Sequence, residues 1–150
     1  LGVVGVLILA GCASLNVPMA SAQGSATAKE FDSVPDRGVV YIVRTDSGIR
    51  SIAGAAPQIL ADGKFVATMP QETFVRITLR PGDHTVSVLA TAFPKTDQPL
   101  DVRAGRVYFI ESDILMGAIR GSILLRRIDD VRGKSLVLRS SMVAAEWSGE

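Results

Sequence analysis

The chain has few of the side chains that usually carry chemistry. Its 150 residues include one histidine, His84, and one cysteine, Cys12. A single cysteine excludes a disulfide within the chain and a thiolate metal cluster. A single histidine, with no second one to help it hold a metal, leaves a general base without an obvious partner or nucleophile. No glycine-rich loop has either of the standard phosphate-cradling spacings. Charge of one sign is also missing: charged residues make up 21%, and the formal net charge is +1. A nucleic-acid binder would show a basic stripe or a strongly basic domain. Arg126-Arg127 is a basic pair, but Asp129-Asp130 follows at once and is expected to neutralise it. Those two aspartates are adjacent, so on a strand they would point to opposite faces and could not form a carboxylate pair. Asp62 and Asp83 fall in turns. No catalytic residue, cofactor or metal is therefore expected. The chain also contains no internal repeat.

What is present begins with an apolar run. Leu1 to Ala10 contains neither charge nor proline. It is shorter than the roughly 20 residues a membrane-spanning helix needs, and it fits the apolar centre of a secretory signal, about 7–15 residues long. The run ends in Leu9-Ala10-Gly11-Cys12. These four residues resemble a bacterial lipobox: a branched apolar residue, two small ones, then cysteine. The resemblance implies that the Cys12 thiol is linked to diacylglycerol, that the signal is cut before it, and that the new amine is acylated. Several acyl chains, at about 0.8 kcal/mol per buried methylene, make a durable anchor. No Met, Lys or Arg precedes the run, so the start of the signal is expected upstream of Leu1. Ala20-Ser21-Ala22 is an alternative small-x-small cleavage site, and cutting there would release a soluble periplasmic protein.

Residues 12–35 read as the lipidated cysteine followed by a flexible tether, rich in Ala, Ser, Gly and Pro. Such a segment buries too little apolar surface to offset its ordering entropy. As a coil it would reach roughly 25 Å. Residues 36–150 have the usual size of one domain.

From Gly38 the chain reads as short strands between turns. Gly38 to Arg44 is apolar on both alternating faces, as expected of a central strand covered on both sides. Asp62-Gly63 between two apolar stretches predicts a two-residue type I′ hairpin. In Thr73 to Arg80, Val75, Ile77 and Leu79 share one face. Pro81-Gly82 then turns the chain. His84 has the parity of Val86 and Val88, which places it at the inner face, its imidazole bonded to the turn or a neighbouring strand. Arg106 to Glu111 and Ser122 to Ile128 complete the clear strands. Residues 131–145 fit neither the strand nor the helix period well, which leaves a strand and a short helix equally open. Six or seven short strands with regular turn signals predict an antiparallel, all-β sandwich.

Four short motifs occur in order: Gly38 to Arg44, Ala61 to Lys64, Leu79 to Val86 and Ala104 to Phe109. As a set they resemble an uncharacterised family of bacterial envelope lipoproteins related to PEGA-type domains. The resemblance covers about residues 36–130. It implies a small prealbumin-like or immunoglobulin-like sandwich, and it carries no catalytic residues over.

The expectation from sequence is therefore a lipid-anchored, non-enzymatic module of the bacterial cell envelope. Its partners would be a membrane, through Cys12, and an envelope protein. Ala13 after the cysteine resembles sorting signals that favour the outer membrane, periplasmic side. The alternative is a periplasmic module binding a small ligand or glycan, which would need a pocket with convergent polar groups. A hydrolase ranks third, for want of a nucleophile and base. Ile114 to Ile119 is apolar throughout and lies between strands. It is either a covered crossover or an exposed interaction patch formed by Ile114, Leu115, Met116 and Ile119.

Overall fold

The structure, a computed structural model, describes residues 16–45, 56–91, 93–116 and 121–149. These residues form α1 (Ala22–Ala28), β1 (Gly38–Arg44), β2 (Gln58–Ala61), β3 (Lys64–Thr68), β4 (Thr73–Leu79), β5 (Gly82–Ala90), β6 (Phe93–Val102), β7 (Val107–Met116), β8 (Gly121–Ile128), α2 (Asp130–Leu138) and β9 (Ser141–Met142). One sheet has the order β8-β7-β1-β4-β9 and the other the order β3-β2-β5-β6. The molecule is a small all-β sandwich with two short helices.

The position of β1 follows from its composition. Val40 and Ile42 point between the sheets, where they meet Ile59, Val86 and Val88 of the second sheet. Val39, Tyr41 and Val43 point to the outer face, where Ala28 of α1 and Leu136 and Val137 of α2 cover them. Every residue of β1 is buried. Burying each aliphatic side chain is worth roughly 1.5–3 kcal/mol, so a strand apolar on both faces is driven to the middle.

The Asp62-Gly63 turn forms as the sequence predicts. Both residues have positive φ, 50° and 77°, and Ala61 pairs with Lys64 across it. The Pro81-Gly82 turn also forms, with Gly82 at φ 134°. However, β4 and β5 do not pair; the turn is a corner that carries the chain from one sheet to the other.

Two further features differ from the sequence reading, and a third fills in what it left open. Hairpin chemistry favours antiparallel pairing, yet β1 runs parallel to β7 and β4 runs parallel to β9. Residues 93–102, not expected as a strand, form β6. Pro94 and Pro99 obscure it, and it occupies an edge, where proline is tolerated. β6 lies beside β8 without joining its sheet, closing that side of the sandwich. The ambiguous stretch at 131–145 holds most of α2 and all of β9. Asp129 caps α2 by accepting from Arg132 N at 2.9 Å. Gly133 in α2 lets the helix lie directly on the Phe109 ring.

The largest correction concerns the tether. Residues 16–35 are built into the domain rather than free of it. Met19 forms a bridge with Val143, and Ala20 N donates to Met142 O at 3.0 Å. Ser21 caps α1, accepting from Gly24 N at 3.0 Å. The buried Tyr41 hydroxyl donates to Ala28 O at 2.5 Å, pinning the end of α1 to the central strand. Small residues pack here because backbone atoms supply the hydrogen bonds and a large aromatic supplies the apolar surface.

Candidate functional site

Three polar constellations stand out among the described residues. The first surrounds His84. Its Nδ1 lies 2.6 Å from Asp62 Oδ2, and its Nε2 lies 2.8 Å from Arg80 O. Asp62 Oδ1 also accepts from Thr85 N at 2.9 Å. Both ring nitrogens face acceptors, so both are satisfied only when the imidazole is charged. Burial pushes the His84 pKa down, but the Asp62 carboxylate and the Arg80 carbonyl outweigh it and hold it above the usual value. Burial pushes Asp62 up, and His84 and Thr85 more than reverse that. The ring ties the β2–β3 turn to the β4–β5 corner, the bonding expected from sequence.

The second is a clamp on Glu111. Its side chain is 3% exposed on the helix-covered face of β7. Arg126 sits directly opposite on β8 and donates to Oε2 from Nε at 3.1 Å and from Nη2 at 2.9 Å. Arg132 of α2 donates from Nε to Oε2 at 3.2 Å and from Nη2 to Oε1 at 2.5 Å. Burial raises the carboxyl pKa, but the two guanidinium groups overcome this and hold it below the usual carboxylate range. Arg126 is therefore paired with Glu111, not with Asp129-Asp130 as the sequence suggests. Asp129 is occupied as the cap of α2.

The third is a cleft of about 560 Å³ at the end of the sandwich where β6 gives way to β7. Asp101, Arg103, Ala104, Arg106, Tyr108 and Arg127 line it. Its floor is fixed. Gly105 adopts φ 71°, and its N–H is directed at Val34 O and Arg37 O, at 3.1 and 3.0 Å. Val39 N donates to Arg106 O at 2.8 Å, and Arg103 N donates to the Tyr108 hydroxyl at 2.9 Å. The arginines differ in their engagement. Arg103 reaches Asp101 Oδ2 at 3.3 Å, and both side chains are well exposed. The Arg127 guanidinium lies over the Tyr108 ring, 4.9 Å from its centre. The sequence showed Arg103-Ala104-Gly105-Arg106 only as a turn; the convergence with Arg127 needs the β7–β8 pairing.

The remaining candidates fall as follows. Cys12 and Ile119 lie outside the described residues. Ile114, Leu115 and Met116 end β7, paired with Ile123, Ser122 and Gly121 of β8. Ile114 is half-buried and Leu115 is 43% exposed. Arg44, at the end of β1, is buried and donates to Met69 O at 2.6 Å. No cluster of three or more potential metal ligands occurs among the described residues. No helix among them is long and apolar enough to cross a membrane.

The sandwich, its corner and its arginine-lined end define a small all-β domain, and comparison with known proteins gives the family. Residues 35–123 match the model of a protein family of unknown function, DUF2846, and the chain belongs to that family. It is also similar to an uncharacterized protein of Haemophilus influenzae (strain ATCC 51907 / DSM 11121 / KW20 / Rd). The two are 30% identical over 143 residues, which cover 93% of this chain and 80% of the relative.

Proposed function

We propose that this protein is a lipid-anchored, non-enzymatic module of the bacterial cell envelope, kin to PEGA-type domains. Cys12 attaches it to the outer membrane on the periplasmic side, and it works through structural or protein contacts. The observation that carries this reading is the packing of residues 16–21. Val17 packs on the core, Met19 bridges to Val143, and Ser21 caps α1. Processing at Cys12 keeps all three. Cleavage after Ala22, the soluble alternative, would strip them from the folded domain.

The polar groups support contact rather than turnover. The Glu111 carboxylate is filled by two arginines, and both His84 nitrogens are occupied. A general base needs a lone pair within reach of a substrate proton. The apolar end of β7, where exposed Leu115 stands beside half-buried Ile114, is the contact patch in this reading.

Intact mass spectrometry of the protein extracted from membranes tests the anchor. The expected mature protein starts at acylated Cys12, and an unmodified start at Gln23 would refute the reading. A photo-crosslinker placed at Leu115 in intact envelopes should capture one discrete protein. Capture of none would remove the patch.

A further inference from the structure

We propose that the cleft lined by Arg103, Arg106, Tyr108 and Arg127 binds a phosphate monoester carried on a hydrophilic body. This goes beyond the anchored-contact reading and does not depend on it.

Charge is the first argument. Three guanidinium groups face one carboxylate, Asp101, so two positive charges remain uncompensated in the lining. A phosphate monoester carries about −1.5 to −2 near neutral pH, which matches that excess better than the single charge of a carboxylate. Arginine is also suited to the task, because its planar fork pairs with two phosphate oxygens at once.

Availability is the second. Arg126 and Arg132 are consumed by Glu111, but the cleft arginines are not held in this way. Among the described residues the Arg106 side chain has no bonding partner; only its backbone is engaged. Arg127 lies over the Tyr108 ring, which holds the guanidinium in place, and its N–H groups have no hydrogen-bond partner among the described residues. Arg103 is held only by Asp101 at 3.3–3.4 Å, a long contact between exposed groups that an incoming phosphate can replace.

Preorganisation is the third. The 103–106 turn is pinned by hydrogen bonds to the chain before β1, so two of the three donors sit on a fixed backbone. A fixed backbone lowers the ordering cost of binding. The volume gives the last constraint. About 560 Å³ lies within the usual ligand range of roughly 300–1,000 Å³ and leaves room for a sugar or glycerol unit beside the phosphate. Arg127 already occupies one face of Tyr108, so a polar body fits better than an aromatic one.

Such a phosphate could belong to a lipid headgroup or to a soluble sugar phosphate, and the test separates the two. The full chain carrying Cys12→Ser, which removes the anchor, is titrated with glucose phosphate at ionic strength held constant with chloride. Backbone amides are followed by NMR. In parallel, co-sedimentation is measured with phosphatidylcholine vesicles, with and without phosphatidic acid. Saturable shifts centred on Ala104, Arg106, Tyr108 and Arg127 with glucose phosphate support a soluble ligand. Binding confined to the phosphatidic acid vesicles supports a headgroup. In either case Arg106→Gln and Arg127→Gln should each weaken binding about tenfold, the loss of one charge-assisted contact, with the melting temperature unchanged. Asp101→Asn should tighten it. The proposal is overturned if neither probe binds, if shifts centre elsewhere, or if binding is indifferent to all three substitutions.

Discussion

At the residue scale, two ionic pairs give the domain opposite responses to pH. The folded-state pKa of Glu111 is depressed, because Arg132 and Arg126 outweigh burial. Its contribution is present above the unfolded value near 4.3 and is lost as pH falls through the folded value. Asp62 acts in the same direction. The folded-state pKa of His84 is raised. Its contribution is complete below about 6.5 and is lost as pH rises through the folded value. Thermal melts across pH should therefore show a plateau between about pH 4.5 and 6.5. Glu111→Gln should lower stability by about 1–3 kcal/mol on that plateau and flatten the acid limb. His84→Gln should flatten the alkaline limb and, by removing a cause of the depressed Asp62 pKa, also weaken the acid limb. Unchanged limbs in both variants would show that neither pair is coupled to folding. Of these groups His84 and Asp62 are legible in the sequence, because their turns are local, though their pairing with each other is not. Glu111 meets its partners across 15 and 21 residues, and no local pattern joins them.

At the element scale, legibility followed how local the cause was. β1 announces its central position because both faces are apolar, and Asp62-Gly63 announces its hairpin because the turn demands positive φ. α1 gave no signal. It buries only Ala28, and its docking depends on a hydroxyl from Tyr41, thirteen residues away. β6 was hidden by its two prolines, and the parallel pairing of β1 with β7 is set by topology rather than by any turn. α2 was obscured by Gly133, which costs helix propensity but makes room for Phe109. A Cβ there would lie 2.2 Å from Phe109 Cγ. Gly133→Ala gains about 1 kcal/mol in propensity but forces an overpacked contact costing about 1–3 kcal/mol. The expected outcome is a lower midpoint in urea. A raised midpoint would mean that α2 can lift from the sheet at no cost.

At the scale of the whole molecule, the packed N-terminal segment changes the relation between the domain and the proposed anchor. A coil over residues 12–35 would have reached roughly 25 Å. With residues 16–35 in the fold, Cys12 stands four residues before the folded segment, and four residues span at most about 14 Å. An anchored domain would sit nearly against the bilayer surface. A chain beginning at Gln23 should melt at a lower temperature than one beginning at Asn16, because it lacks Met19, Ala20 and the Ser21 cap. Loss of a cap alone costs about 0.5–2 kcal/mol. Identical melting of the two chains would return the segment to the role of a passive linker.

The edge of the five-stranded sheet also has a mechanical consequence. Both ends of the described chain meet there: Met19 bridges Val143, and Ala144 N donates to Pro18 O at 2.9 Å. Tension drawn along the backbone toward Cys12 would load these few contacts first. The cap at Ser21 would yield next, and only then the Tyr41 latch on α1. The sandwich behind that latch is held by burial on both faces of β1, so a pull would be spent in peeling Val17 and a short clip before it reached the central strand.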